Sequence, residues 1–294
     1  MKILVIGSLN IDFTSYVENF PNNGETINSL EYKINFGGKG INQAIACFRA
    51  KADTTFFGAI GNDEYGKTYK EFLNKNKLNA VLLTKNTFTG NAQIIVNKKS
   101  ENKIIINHGA NYELSIEDIS NYINEHQRDF DIVVIQNEIR NEVTEHIIKL
   151  CGEYNKVIIY NPAPTINIDD NLFKYITYFI PNEKEILFYS KNNDFESAVD
   201  TLLNKGIKNI IVTLGDKGSM FINKENKFFI DAYKVKAIDT VGAGDTFIGY
   251  FSAMLSQNKE LSECMKIASL ASSISVTKKG AISSIPYLED LKLN

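Results

Sequence analysis

The chain has 294 residues, of which 44% are hydrophobic and 23% charged, with a formal net charge of −3. That length holds one large α/β domain or two modest ones and buries a sizeable core. The near balance of charge excludes a strongly basic surface for a polyanion and an acidic disordered chain, so a small molecule is the expected partner and nucleic acid is not.

Lys2–Gly7 is a short apolar run ending in glycine, too short for a signal peptide core and read as a first buried strand. No stretch reaches the roughly 18–20 apolar residues of a membrane helix, and no membrane partner is expected. Asn10 and Asp12 follow that strand, either as turn formers or as groups for a polyhydroxylated ligand, since Asp accepts from hydroxyls and Asn both donates and accepts. Ser15–Phe36 carries a Pro21-Asn-Asn-Gly24 turn followed by strand-like residues. Glycines around Lys39 then open a helical pattern over Ile41–Arg49. Strand-like Thr54–Ile60 and helix-like Glu64–Leu73 lead to a hairpin within Thr87–Asn107, with arms Asn91–Val96 and Lys103–Ile106.

Beyond it, helical patterns at Ile116–Glu125, Glu142–Tyr154 and Phe195–Asn204 alternate with apolar runs at Ile132–Gln136, Val157–Tyr160, Tyr175–Ile180 and Asn209–Leu214. Strands apolar throughout, alternating with helices, predict an α/β fold whose mostly parallel sheet is covered on both faces. The two early stretches that break the alternation read as a small β-sheet able to cover a pocket, with lid segments at 15–36 and 87–107. No Pro- or Ser-rich linker divides the chain, so residues 1–294 read as a single domain. Cys47, Cys151 and Cys264 are far apart and form no CxxC pair, which fits buried thiols in a reducing cytoplasm.

The densest chemical signal is the stretch Asp239–Gly249, where Gly242 and Gly244 flank Ala243 and a helix follows. Free N–H groups at a helix start, with the helix dipole behind them, receive negative charge such as that on a transferring phosphoryl group. Asp245 in that turn is a proton acceptor for an attacking hydroxyl, or else an ordinary acid of a first helical turn. Gly37-Gly-Lys-Gly40 lacks the hydroxyl of a Walker A loop, and the first strand is not followed by the dinucleotide fingerprint, which argues against a dehydrogenase. Asn182 and Glu185 stand three apart at a helix start, a spacing that suits a capping box and also oxygen ligands for Mg²⁺. Glu138 ends an apolar strand, where open α/β sheets bind ligands. His108, His126 and His146 show no metal spacing; the last two are expected on exposed helix faces.

Taken in order, Gly7–Asp12, Pro21–Glu25, Gly37–Ala44, Gly109–Asn111, Asn161–Pro164, Pro181–Glu185, Thr213–Gly218, Asp239–Gly249 and Val276–Ala281 resemble the ribokinase (PfkB) family of carbohydrate kinases over nearly the whole chain. The resemblance implies a three-layer α/β/α sandwich with a β-sheet lid. It implies ATP-dependent phosphorylation of the 5-hydroxyl of D-ribose, with Asp245 as general base and the Gly242, Ala243 and Gly244 amides as anion hole. Sugar contacts would come from Asn10, Asp12, Gly38, Lys39, Asn42, Ala92, Ile106 and Glu138. ATP would be bordered by Asn182, Thr213, Gly215, Asp216, Gly218, Gly244 and Ser269. Mg²⁺ would be organised by Asn182 and Glu185, largely through water. A K⁺ site would use Asp239, Val241, Ser275, Lys278, Gly280 and Ser284, several through backbone carbonyls. A homodimer through the lid is expected, with Asn91 and Gln93 on the strand face away from the sugar. Two other readings stand beside it: a kinase of deoxyribose, a nucleoside or a related furanose, and a sugar-binding regulator without catalysis. A decayed kinase would have lost Asp245 or its glycines, and all are present.

Overall fold

The computed structural model describes residues 1–99 and 101–292. The chain opens with β1 (Ile3–Ile6), crosses into β2 (Asn10–Tyr16) and β3 (Glu31–Gly37), and returns through α1 (Lys39–Arg49). There follow β4 (Thr54–Gly61), α2 (Glu64–Asn76), β5 (Asn79–Lys85) and the hairpin β6 (Asn91–Val96) and β7 (Asn102–Asn107). The central part is α3 (Ile116–His126), β8 (Ile132–Ile135), α4 (Asn141–Glu153), β9 (Val157–Tyr160), β10 (Tyr178–Phe179), α5 (Glu183–Ser190) and α6 (Phe195–Asn204). The last third is β11 (Asn209–Thr213), β12 (Gly218–Ile222), β13 (Lys227–Asp231), α7 (Ala243–Ser256) and α8 (Leu261–Ser275).

Nine strands form one sheet in the order β13-β12-β11-β10-β9-β8-β1-β4-β5, all running the same way except β12, which is antiparallel to both β11 and the edge strand β13. Alternate residues of β1 enter opposite cores. Ile3 and Val5 pack with residues of α1, α2, α7 and α8, while Leu4 and Ile6 pack with residues of α3 to α6. Burial on both faces is why these strands read as unbroken apolar runs. The result is a three-layer α/β/α sandwich.

Four strands in the order β3-β2-β6-β7 form a separate sheet. It starts upstream of the segment expected to begin at Ser15. Asn10 and Asp12 belong to its strand β2, not to a turn after β1. The run Tyr175–Ile180 supplies only the two-residue strand β10. Its first residue closes a 3₁₀ turn over Asp170–Tyr175, in which the Asp169 side chain accepts from the Asn171 N–H and Leu172 and Phe173 are buried. The helix starts follow their caps. Ser115 and Asp118 form a reciprocal capping box on α3, and Asn182 and Glu185 form one on α5.

Candidate active site

The polar residues singled out in the sequence collect at the carboxyl ends of β1, β8, β9, β10 and β11, where an open parallel sheet leaves a crevice. The first element is the entry to α1. Gly38 has φ of 103°, a conformation glycine tolerates, and a Cβ on Gly40 would lie 2.6 Å from the Ser8 nitrogen. That close approach lets the Lys39 N–H donate to Glu138 Oε2 at 3.0 Å while the Ser8 hydroxyl donates to the same oxygen at 2.5 Å. Glu138, just past β8, is thereby fixed by two other segments.

Asn10 is held in the same way. Asn111 accepts from the Leu9 N–H and donates to the Leu9 carbonyl and to Asn10 Oδ1, each at 2.9 to 3.0 Å. Asp12 lies on the lid strand in one cross-strand row with Ala92 and Ile106, so these three side chains share a face. Ala92 is buried and Ile106 half-buried. Gln93 is exposed and Asn91 half-buried, on the opposite face, where the Asn107 side chain donates to Asn91 Oδ1. The Asp12 carboxyl is pushed up to about 7 by burial, with repulsion from Glu138 and Asp245 adding to it.

At the other wall, Gly242 caps α7 with φ of 76° and packs against Ala281, while Gly244 is exposed with open space where a Cβ would stand. Asp245 lies in the first turn of α7 and is 6% exposed. Its two oxygens are occupied separately: Asn42 Nδ2 donates to Oδ2 and Gln43 Nε2 donates to Oδ1, both at 2.9 Å. Burial raises the Asp245 carboxyl above its ordinary value, and Lys39, Asn42 and Gln43 oppose the rise. For Lys39 the largest influence is burial, which lowers it, but Asp245, Glu138 and Glu185 together overcome this and hold the ammonium above its ordinary value. A carboxylate beside a helix N-terminus, ringed by amides and one lysine, can take a proton from a hydroxyl while the helix start receives negative charge.

The third wall is more open. The Thr213 N–H donates to the Pro181 carbonyl at 2.9 Å, which sets the end of β11 beside Asn182. Gly215 and Asp216 are exposed in a 3₁₀ turn, and a Cβ on Gly218 would meet the Ile230 carbonyl at 2.1 Å. Ser269 is buried on α8, one turn before Ser272, whose hydroxyl donates to the Ala243 carbonyl at 2.9 Å. In the α5 cap, Asn182 Oδ1 accepts from the Lys184 and Glu185 N–H groups, and Glu185 Oε2 accepts from the Asn182 N–H. Burial raises the Glu185 carboxyl, against the Asn182 N–H and Lys39. Among the described residues no three His, Cys, Asp or Glu side chains form a metal cluster.

The residues expected for a monovalent cation are joined by short links. Asp239 accepts from the Val241 N–H through Oδ1 at 3.0 Å and from the Gly280 N–H through Oδ2 at 2.8 Å. The Lys278 N–H bonds the Ser275 carbonyl, and the buried Ser284 bonds the carbonyl of Ala281, the residue that touches Gly242.

The histidines differ from expectation. His126 and His146 are half-buried and engaged: His126 meets Asp129 three residues on, just past α3, and His146 meets Ser120 because α3 and α4 pack together. His108 stacks on Tyr112 at 3.7 Å between ring centroids, and burial lowers its basicity. Ser8, Gln43, Asn111, Gln136 and Asn161 join the site without a sequence signal of their own. Four of them lie inside the motif stretches, and Gln136 carries no signal beyond its place at a strand end.

Residues 1–288 match the pfkB family carbohydrate kinase. The chain is 34% identical over 297 residues to the deoxyribokinase of Salmonella typhi, covering 98% of this chain and 97% of that one. The structure of a ribokinase from Thermotoga maritima superposes with a TM-score of 0.91 at 39% identity, covering 99% of this chain and 98% of that chain. That of Arabidopsis thaliana ribokinase complexed with ribose and ATP superposes with a TM-score of 0.88 at 30% identity, covering 100% of this chain and 99% of the other.

Proposed function

The chain belongs to the pfkB family of carbohydrate kinases, and from that premise we propose that it transfers the γ-phosphoryl group of ATP to the 5-hydroxyl of D-ribose. The observation that carries this reading is the buried Asp245 at the glycine-rich start of α7, with Asn42, Glu138 and Asp12 around it. Asp245 takes the proton of the 5-hydroxyl. That oxygen bonds to the γ-phosphorus, the bond to the β,γ-bridging oxygen breaks, and ADP leaves. Gly242, Ala243 and Gly244 present the helix-start amides to the charge on the transferring group.

The sugar is held by Asn10, Asp12, Gly38, Lys39, Asn42 and Glu138, with Ala92 and Ile106 from the lid beside it. Asn42 Oδ1 is buried with no partner among the described residues, which leaves an acceptor for a sugar hydroxyl. Asn182, Thr213, Gly215, Asp216, Gly218, Gly244 and Ser269 border ATP.

The α5 cap engages Glu185 Oε2 and Asn182 Oδ1, so these residues suit Mg²⁺ held through water and phosphate oxygens better than direct ligation. When bound, the ion neutralises charge on the phosphates. For K⁺, the donor set is the Asp239 carboxylate with oxygens of Val241, Ser275, Lys278, Gly280 and Ser284, all hard ligands. The lid supports a homodimer: Ile34 and Ile105 are 52% and 63% exposed in one cross-strand row with Gln93, on the face opposite Asp12. Light scattering that gives a monomer at working concentration removes the dimer. A cytoplasmic location is supported by three buried, unpaired cysteines and by the absence, among the described residues, of a helix able to cross a membrane.

Likeness to the Salmonella deoxyribokinase favours a second reading, with 2-deoxy-D-ribose as acceptor. A panel of D-ribose, 2-deoxy-D-ribose and a nucleoside with ATP, run with and without K⁺, decides between them. The expected result is the highest kcat/KM for D-ribose and a gain with K⁺. Another acceptor ranked above ribose overturns the substrate.

A further inference from the structure

Gln43 is fully buried, and both ends of its amide are committed. Nε2 donates to Asp245 Oδ1 at 2.9 Å and to Asn161 Oδ1 at 3.1 Å, and Oε1 accepts from Gln136 Nε2 at 2.6 Å. The two anchors belong to the central sheet. Gln136 follows β8 and is fully buried, its Oε1 against Gly7. Asn161 follows β9, donates its own N–H to the Ile135 carbonyl, and reaches the Ile180 carbonyl through Nδ2 at 3.2 Å. Gln43 is brought to Asp245 by the close contact of α1 with α7, where a Cβ on Gly249 would lie 2.7 Å from the Gln43 carbonyl.

Asn42 holds the other oxygen of Asp245, but its Oδ1 is unpartnered and the proposed function gives it to the sugar. The two neighbouring amides therefore divide the work. Asn42 keeps an acceptor open to substrate, whereas Gln43 spends one N–H on the base and its other N–H and its oxygen on the brace. We propose that Gln43, braced by Gln136 and Asn161, is the positioning residue that fixes the orientation of the Asp245 carboxylate.

The inference rests on Asp245 acting as the base, and it carries a pH consequence. The charged groups facing Asp245 are Lys39 on α1, Glu138 after β8 and Asp12 on the lid strand. Lys39 favours its ionised form, and the two carboxylates disfavour it. Gln43 donates to that ionised form, so removing the donor raises the pH at which the base becomes competent.

The test uses Gln43→Leu, and Gln136→Met, which leaves Asp245 and Gln43 in place but removes the brace. Gln43→Leu is expected to lower kcat by about 10²-fold, the scale of an ångström of misplacement, with sugar KM nearly unchanged. Gln136→Met is expected to shift both readouts in the same direction by less, and it decides the question if the first variant does not fold. For both, the acidic limb of the kcat profile moves to higher pH. The same shift is read without turnover by ¹³C NMR of Asp-carboxyl-labelled protein, with the Asp245 signal assigned by its loss in Asp245→Asn. A folded variant whose Asp245 titration and pH profile match the wild type overturns the inference, even if its activity is lower. If the titration moves but no sugar is phosphorylated by the wild-type protein, the kinase reading fails and the positioning role stands.

Discussion

The proposed sugar side and the proposed nucleotide side of the crevice are built to different standards. On the sugar side, Glu138, Asn10 and Asp245 are each held by donors from separate segments and are almost wholly buried. On the proposed nucleotide side, Gly215, Asp216 and Gly244 are exposed. A hydroxylated ligand that loses its water must find polar groups already in place, since an unpaired buried group is costly. A polyphosphate brings its own charge and cations, and a more open wall serves it.

Four substitutions break or sharpen that contrast. Asp245→Asn keeps the shape and removes the proton acceptor. The expected loss in kcat is about 10²–10⁴-fold, with sugar binding still measurable by calorimetry. Near-normal turnover contradicts the role of Asp245. Glu138→Gln replaces a charged acceptor that serves Ser8 and the Lys39 N–H. Steady-state kinetics should show sugar KM raised about tenfold or more and ATP KM unchanged; equal loss for both substrates erases the division of the crevice.

Asp12→Asn tests the strain stored on the sugar side. The carboxyl rises from 3.8 to about 7 on folding, so the folded chain keeps a proton that the unfolded chain releases across that range. Stability from this group therefore falls as pH rises through the window and is lowest above it. The variant lacks that dependence, so its Tm relative to wild type should climb between about pH 4 and about pH 7. A constant difference shows that Asp12 is not under that pressure. The smallest effect is expected for Asn182→Ala, which removes the α5 cap. It should cost about 1 kcal/mol in denaturant unfolding and leave sugar KM unchanged, with a higher Mg²⁺ requirement.

Much of the scaffold was legible because its signals are local. Ser115 with Asp118, and Asn182 with Glu185, announce their helices by a spacing of three, and both pairs cap as that spacing demands. The β1 and β8 runs are apolar at every position because both of their faces are buried. The edge strand β13 carries no continuous apolar run because it has one partner and is partly exposed, and its partner β12 is short and opens on glycine and serine. The turn alternative for Asp12 fails for a related reason. Polar residues after a strand look like a turn, and only the pairing of β2 with β3 and β6 reveals a strand whose one face looks into the crevice.

By itself the sequence determined the alternating α/β order, the helix starts and the identity of Asp245 with its glycines, because each is written in neighbours a few residues apart. The tertiary structure alone decided that Asp245 is clasped by two adjacent amides, that Glu138 is tied to Ser8 and α1, and that Gln136 stands behind Gln43. Those contacts join residues far apart in the chain. Side-chain hydrogen bonds of that kind depend on how α1 and α7 pack over the sheet, and such packing leaves no period or motif to read.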